Sequence, residues 1–257
     1  MQKIINVICH PSQIALYFND KVYKIIIWFI CLLSILTGII VAYAYKTDVY
    51  SYDFVRSVTN SLITKEGTPN VIYSESTLRG ESYSLKSDTV FIYFSKSDFA
   101  HNDYGLVFNF KETEVDVYYR FFSKKTMSYK DMNISDFTFA DVKNGINNAT
   151  IKFESLIYHA ANLINNEARL MNISDSLFST LSMFLLVIGV ALLLSFFVNP
   201  LIKFPHRVRI CLYDSMIYLI LIIFSLMLQA AWLQYVALAV PLIYTSISFR
   251  RIVVIKR

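Results

Sequence analysis

Glycine and cysteine are scarce in this chain of 257 residues, which contains six glycines and three cysteines. None of the glycines falls in G-x-x-x-x-G-K or G-x-G-x-x-G spacing, so no loop of the kind that cradles a nucleotide phosphate is present. The four histidines are scattered and form no H-E-x-x-H motif or local Cys/His ligand pair. These absences disfavour an ATPase and, more broadly, an enzyme. They predict no catalytic residue, no cofactor and no bound metal.

The long polar middle of the chain contains none of the cysteines, which are Cys9, Cys31 and Cys211. It therefore has no internal disulfide and must be held by an ordinary hydrophobic core. Cys9 and His10 are adjacent, but neighbours on a helix rarely face each other, so a catalytic thiol is disfavoured. His101 and Asp103 offer a base and a carboxylate, although a solvated loop is the more common reason for such a cluster.

Long apolar runs dominate what the sequence does contain. A hydrocarbon core of about 30 Å requires about 20 apolar residues in a helix. Two uncharged runs have this length, one near the N-terminus and one after the polar middle. A third, 216–249, is too long for one crossing, and Gln229, Trp232 and Gln234 indicate an interfacial turn that divides it. The predicted transmembrane helices are 25–45, 177–199, 211–229 and 231–249.

Basic residues fix the predicted orientation. The N-terminal segment 1–24, the loop 200–210 and the tail 250–257 are rich in Lys and Arg, and four crossings put all three on one side. The positive-inside rule then predicts that both termini are cytoplasmic and that 46–176 is extracytoplasmic. The net charge of +5 is thus a topological signal, and we predict no nucleic-acid partner.

The N-terminal segment leaves a cleaved signal peptide as an alternative, because Ala42 and Ala44 imitate a cleavage site. A retained anchor is favoured, since the apolar run is longer than a usual signal sequence and a further segment precedes it. Residues 1–24 are themselves apolar but are interrupted around Pro11. We expect them to lie on the cytoplasmic membrane surface as a broken interfacial helix.

The polar middle, 46–176, is predicted to be an α+β domain inserted between the first two crossings. Phe54 and Val58 recur at helical spacing and predict a helix over 52–64. The clearest strand alternates Val115 and Val117 with polar residues. A small antiparallel sheet is expected, with strands at 71–74, 89–96, 104–110 and 114–121 and a hairpin turn at 111–113.

A second helical region follows the predicted sheet. After a short helix near Thr138, an apolar stripe led by Ile157 and Ile164 predicts a helix over 151–171 that packs on the sheet. Only 172–176 separate it from the second crossing. We therefore expect this helix to couple the outer domain mechanically to the membrane helices.

One cluster of ionisable residues lies at the start of the third crossing. Arg207, Cys211 and Asp214 share a helix face, which puts Asp214 about one turn into the membrane. An ionised carboxylate there costs on the order of 2–3 kcal/mol without a partner, so an arginine or an interhelical partner is expected. The favoured alternative is an interfacial Asp214 solvated by headgroup water, beside arginines that bind anionic lipid.

The segment 206–215 is accordingly predicted to be a docking or lipid-contact site with Arg207, Arg209 and Asp214 as its binding residues. Guanidinium groups suit phosphates and carboxylates, and no nucleophile–base pair accompanies them. The expected partners are anionic headgroups on the cytoplasmic side and a membrane protein. Asp214 would orient Arg207 or close a polar contact between crossings.

Three stretches accompany this layout: TPNVIYSESTLRGESYSLKSDTVFIYFS, SYKDMNISDFTFADVKNGI and HRVRICLYDS. With the order of the other features they resemble a bacterial family of uncharacterised multi-pass membrane proteins, some of which are labelled maltodextrin-utilisation membrane proteins. The resemblance lies in layout and in loosely matching stretches. It implies a bacterial plasma membrane and, for members near sugar-uptake genes, an accessory role, but no residue roles.

Three functions remain open. The preferred one is a non-enzymatic membrane accessory protein, with an outer domain that contacts a partner or ligand and helices that dock a membrane complex linked to sugar uptake. The first alternative is a small transporter or channel, although the crossings contain few polar groups. The second is an enzyme of envelope or lipid metabolism, which would need a cavity with convergent titratable side chains near 101–104 or 206–214.

Overall fold

A computed structural model describes residues 14, 21–46, 49–64, 70–86, 90–94, 105–120 and 123–252. The chain divides into two units, which we call the helical unit (Met1–Tyr43 with Ile173–Arg257) and the α+β unit (Ala44–Asn172). Most of the interfacial segment predicted for 1–24 lies outside the described residues, as do the polar loop around His101 and the end of the basic tail.

The α+β unit contains eight strands in two sheets within the described ranges. The strands are β1 (Val71–Ser74), β2 (Thr77–Gly80), β3 (Tyr83–Lys86), β4 (Val90–Phe94), β5 (Leu106–Phe110), β6 (Glu114–Tyr119), β7 (Ser123–Ser128) and β8 (Phe137–Thr138). Helices α2 (Tyr52–Thr64), α3 (Tyr129–Met132), α4 (Phe139–Lys143) and α5 (Asn147–Asn162) belong to the same unit. The α+β class is thereby confirmed.

The two sheets differ in strand direction. The smaller sheet has the order β2-β1-β8 and is antiparallel. The larger sheet has the order β3-β4-β5-β6-β7, and its β4–β5 pair is parallel, so the expectation of a purely antiparallel sheet is wrong. Alternation along a strand reveals which residues share a face but not the direction of the neighbouring strand. The connection from β4 to β5 is long enough for the crossover of about a dozen residues that a parallel pair needs.

The predicted core of the α+β unit is confirmed. Val115 and Val117 on β6 are fully buried in one cluster with Phe153, Ile157 and Ile164. The predicted helix 52–64 and strand 71–74 coincide with α2 and β1. The hairpin turn is also present, since the Lys111 N–H donates to the Glu114 carbonyl at 2.9 Å.

Four short strands escaped the sequence analysis, namely β2, β3, β7 and β8. The sequence of β7 is SKKTMS and that of β2 is TLRG, so neither shows an apolar alternation. Both lie at the edge of their sheet, where one side of the strand has no neighbour and polar side chains are tolerated. The strand conformation of β7 therefore depends on its pairing with β6, and that of β2 on its pairing with β1.

The predicted single helix over 151–171 is wrong in its boundaries. Helix α5 ends at Asn162, and a new helix, α6 (Asn165–Val198), runs for 34 residues. At the junction the N–H groups of Leu163 and Ile164 donate to carbonyls three residues back, and asparagines, which are weak helix formers, flank it. No proline or glycine lies between 165 and 188, so the polar residues at 172–176 do not end the helix.

Four helices are long and apolar enough to cross a membrane, among the residues that the structure describes: α1 (Val22–Lys46), α6, α7 (Phe204–Leu228) and α8 (Trp232–Arg250). They match the four predicted crossings. The turn expected near Gln229 is confirmed, since Gln229 has a left-handed backbone with φ of 52° and the Ala230 N–H donates to the Ser225 carbonyl. Pro241 lies inside α8.

The four helices differ in how much of their surface the protein itself covers. In the most apolar stretch of α7, 67% of residues are buried, against 17% for α1 and 22% for α6. Helix α7 packs mainly against α8. It is therefore the central helix of the helical unit, and it carries all three predicted site residues.

Candidate functional site

Two prolines shape the connection between α6 and α7. Helix α6 ends at Val198, just before Asn199 and Pro200, because a residue preceding proline disfavours the helical conformation. Pro205 lies in the first turn of α7, where a missing N–H costs nothing. This short connection leaves backbone carbonyls without helical partners.

Arg207 binds those carbonyls. Its side chain is fully buried; Nη2 donates to the Asn199 and Ile202 carbonyls at 2.9 and 3.1 Å, and Nη1 donates to Ser195 Oγ at 3.0 Å. The guanidinium also lies over the Phe196 ring, 4.0 Å from its centroid. Carbonyls at a helix end carry negative partial charge, so they stabilise the cation. Arg207 thus joins the end of α6 to the start of α7.

Asn199 extends the same network to α8. Its side-chain Nδ2 donates to the Phe249 carbonyl at 3.2 Å and to the Ile252 carbonyl at 2.9 Å. These acceptors lie at the end of α8, where carbonyls lack helical donors. We call Ser195, Asn199 and Arg207 the arginine network. Neither Asn199 nor Ser195 is predicted by the sequence, since one buried serine and one asparagine before proline have no distinctive spacing.

Asp214 lies two turns further along α7, about 10 Å from Arg207 along the helix axis. It is fully buried, and Ser248 Oγ on α8 donates to its Oδ1 at 3.0 Å. The other carboxylate oxygen, Oδ2, has no hydrogen-bond partner among the described residues. The predicted polar contact between crossings is therefore confirmed, whereas Arg207 is held by carbonyls and not by Asp214.

The favoured expectation for Asp214, solvation by headgroup water, is wrong. Asp214 lies on the face of α7 that packs on α8, where Ser248 donates to it. The shared face of Arg207, Cys211 and Asp214 is confirmed, since all three are fully buried. Because its guanidinium is enclosed by protein groups, Arg207 has no surface to offer a headgroup. Lipid contact stays a prediction for the half-buried Arg209.

Helix α8 turns a hydroxylated face towards Asp214. Pro241, Thr245 and Ser248 follow each other at helical spacing, and the two hydroxylated residues are fully buried. Thr245 Oγ1 donates to the Pro241 carbonyl at 2.9 Å. Ser215, next to Asp214, is buried as well, and its Oγ has no hydrogen-bond partner among the described residues. The contact between α7 and α8 therefore contains more buried polar side chains than the apolar sequences of the two helices predict.

The α+β unit contains a second buried carboxylate, Asp116 on β6, with 1% of its side chain exposed. Lys111 Nζ lies 2.7 Å and Lys124 Nζ 3.1 Å from its Oδ2, and Thr126 Oγ1 donates to Oδ1 at 2.6 Å. Burial alone would raise the pKa of Asp116, but these hydrogen bonds outweigh it and hold the pKa below its ordinary value. We call this group the lysine cluster.

Among the described residues, no group of three or more His, Cys, Asp or Glu side chains lies close enough to hold a metal ion. The 101–104 segment considered for an enzyme site falls outside the described residues. In the 206–214 segment, Arg207 and Asp214 have separate partners and do not form an ion pair with each other.

Comparison with known proteins found no matching family model, no matching curated protein and no matching solved structure. The resemblance to the bacterial membrane-protein family stays a prediction.

Proposed function

We propose that this protein is a multi-pass accessory protein of a bacterial plasma membrane. In this proposal the α+β unit is extracytoplasmic and contacts a partner or ligand, and the membrane helices dock a membrane complex, such as a sugar-uptake system. Both termini are cytoplasmic. The basic loop and Arg209 contact anionic headgroups, and the chain acts without catalysing a reaction.

The continuity of α6 is the observation that carries the proposal. Ala168, in its first turn, and Ile164, which immediately precedes it, are buried in the core of the α+β unit. Ala191, further along the same helix, is buried in the core of the helical unit. Each residue of an unbroken α-helix adds about 1.5 Å, so 34 residues extend about 50 Å. A helix of this kind transmits a displacement better than a flexible linker does.

The arginine network supports the same function. Ser195 on α6 accepts from Arg207, and Asn199, just after α6, holds the end of α8. A displacement of α6 along its axis would therefore act on the starts and ends of the neighbouring helices. In the proposed orientation this network lies at the cytoplasmic side of the membrane.

The accessory function is tested by purification of the full chain from its native membranes in mild detergent, followed by cross-linking and mass spectrometry. We expect one membrane complex to co-purify in fixed stoichiometry. Ser174→Pro, at an exposed position of α6, should break the helix and reduce the recovered complex. Ser174→Ala, which preserves the helix, should not. Recovery of the chain alone from native membranes would contradict the proposal.

The orientation has its own test in a chain whose native cysteines are replaced by serine. Asn60 in the α+β unit and Lys203 in the basic loop are both exposed. Asn60→Cys should react with an impermeant maleimide in intact cells, and Lys203→Cys only after permeabilisation. The reverse labelling pattern would invert the proposed topology.

Asp214 favours a small transporter as a second candidate, because a carboxylate inside a membrane bundle is a common part of an ion pathway. Purified protein in liposomes with a trapped pH dye would then move protons when a gradient is imposed, and Asp214→Asn would stop it. Absence of flux in these liposomes, with a co-purifying complex in native membranes, supports the accessory function.

A further inference from the structure

The contact between α7 and α8 contains a carboxylate, that of Asp214, with no cation beside it among the described residues. Asp214 is fully buried; Ser248 donates to its Oδ1 at 3.0 Å and the Thr245 hydroxyl faces the carboxylate, while Oδ2 receives no hydrogen bond from the described residues. No lysine, arginine or histidine of the described chain forms a salt bridge with it. An ionised carboxylate at this buried position has a large free-energy cost, because neither a cation nor water stabilises the charge.

None of the titratable groups around Asp214 gives its carboxylate a positively charged partner. On α7 these are Arg207, whose guanidinium is bound to carbonyls, and the buried Cys211, Tyr213 and Tyr218, while His206 and Arg209 lie nearer the start of the helix. Helix α8 faces Asp214 with the hydroxyls of Ser248 and Thr245, and its titratable side chains before Arg250 are Tyr235 and Tyr244. Helix α1 has only Cys31 between Lys24 and Tyr43, and α6 has none after Asp175.

A proton fits this site better than a metal cation. Sodium and larger ions need several oxygen ligands, whereas a proton needs one carboxylate oxygen and an acceptor. Ser248 suits both states of the acid: its hydroxyl donates to the carboxylate and accepts from the carboxylic acid. The Ser248 contact at 3.0 Å is thus compatible with an O–H on Asp214 Oδ1.

We propose that Asp214 is a proton-binding site inside the membrane helices, and that its protonation holds α7 against α8. One proton from water adds to a carboxylate oxygen, and the side chain changes from a charge of −1 to neutral. Release returns the proton to water and leaves a charge that draws in water or a cation, which loosens the contact around Ser248. This inference does not rest on the accessory function.

Infrared difference spectroscopy of the full chain in lipid nanodiscs tests the proton directly. The wild type should show, at neutral pH, the carbonyl band of a protonated carboxylic acid that Asp214→Asn lacks. The band should shift in heavy water. Asp175→Asn, which replaces an exposed acid on α6, is the matched control and should keep the band. Absence of the band, or a band that appears only when Na⁺ is removed, would overturn the proposal.

Labelling of Cys211 tests whether release of the proton from Asp214 loosens the contact between α7 and α8. Cys211 is fully buried, so its reaction with a maleimide reports opening of the contact. In a Cys9→Ser, Cys31→Ser background, the labelling rate of the wild type divided by that of Asp214→Asn should rise as pH rises. The neutral amide mimics the protonated acid, and the division removes the part of the thiol's titration that both proteins share. The negative charge of an ionised Asp214 disfavours the Cys211 thiolate, so it opposes the expected rise and cannot produce it. A ratio independent of pH would contradict the coupling between the proton and the helix contact.

If Asp214→Asn does not fold, Ser248→Ala provides a second test of the assignment of the carbonyl band to Asp214. Loss of the Ser248 hydroxyl should shift the carbonyl band, because the acid loses its hydrogen-bond partner. A band at the same position as in the wild type would place the protonated acid elsewhere and overturn the assignment. Co-purification enters none of these experiments, so this inference and the accessory function fail independently.

Discussion

Asp116 and Asp214 are both buried aspartates, one in each unit of the chain, but their surroundings differ. Asp116 has two lysines and a threonine within hydrogen-bond distance, whereas Asp214 faces the hydroxyls of Ser248 and Thr245 and has no lysine or arginine beside it among the described residues. Of the lysines at the first site, Lys111 lies in the turn between β5 and β6 and Lys124 on β7, and both keep part of their side chains in solvent. The second site lies between apolar helices. Burial by itself therefore says little about a carboxylate, because the charged partners decide whether it stays ionised.

The hydrophobic core of the α+β unit sets the largest effect that we expect. Ile157→Ala should cost about 2–5 kcal/mol of unfolding free energy, because Ile157 is fully buried against the sheet. Ile151→Ala is the matched control on the same helix, with 54% of Ile151 exposed, and should cost almost nothing. Thermal unfolding of the full chain in detergent measures both. Equal effects would mean that the stripe of α5 packs elsewhere.

Arg207 is a third case, a buried charge in the helical unit whose Nη1 and Nη2 have three hydrogen-bond acceptors. Arg207→Met should cost about 3 kcal/mol, because two carbonyls and Ser195 lose their donor in a buried place. Arg209→Met, at a half-buried position two residues away, should cost less. Thermal unfolding in the same detergent compares them. A larger loss for Arg209 than for Arg207 would contradict the structural role of the arginine network.

Asp116→Asn should have a smaller effect, about 1–3 kcal/mol, because the lysines can turn to solvent once the carboxylate is gone. The effect should depend on pH. The folded-state pKa lies below the ordinary value, so the contribution is complete above about pH 3.9 and is lost as pH falls through the lower folded value. Hydrogen exchange of β6 and β7 as a function of pH measures it. A difference between wild type and Asp116→Asn that grows on acidification would reverse the sign.

Much of the fold could be predicted from the sequence because it follows from local patterns. Apolar runs of the right length predicted four crossings, and the alternation of Val115 and Val117 predicted the buried face of β6. The edge strand β7 could not be predicted, because its sequence SKKTMS becomes a strand only beside β6. The parallel β4–β5 pair likewise depends on a crossover and not on the residues of either strand.

The candidate site was predictable only in part. Helical spacing correctly placed Arg207, Cys211 and Asp214 on one face. It could not reveal the partners, because Asn199 and Ser248 lie on other segments, and tertiary packing alone brings them to the site. The expectation of a solvated Asp214 failed for the same reason. The position of Asp214 along α7 indicates its distance from the membrane edge. It does not show that α8 covers the carboxylate.

The pair of variants Asp116→Asn and Asp214→Asn, compared at neutral pH, tests the central claim most directly. Replacement of an ionised, lysine-bound carboxylate should destabilise the protein, whereas replacement of a protonated acid by its neutral amide should change the unfolding free energy by less than about 0.5 kcal/mol. Hydrogen exchange of β6 and of α7 localises each effect. The account predicts faster exchange in β6 for the first variant and unchanged exchange in α7 for the second. Faster exchange in α7 of Asp214→Asn, by as much as in β6 of Asp116→Asn, would contradict it.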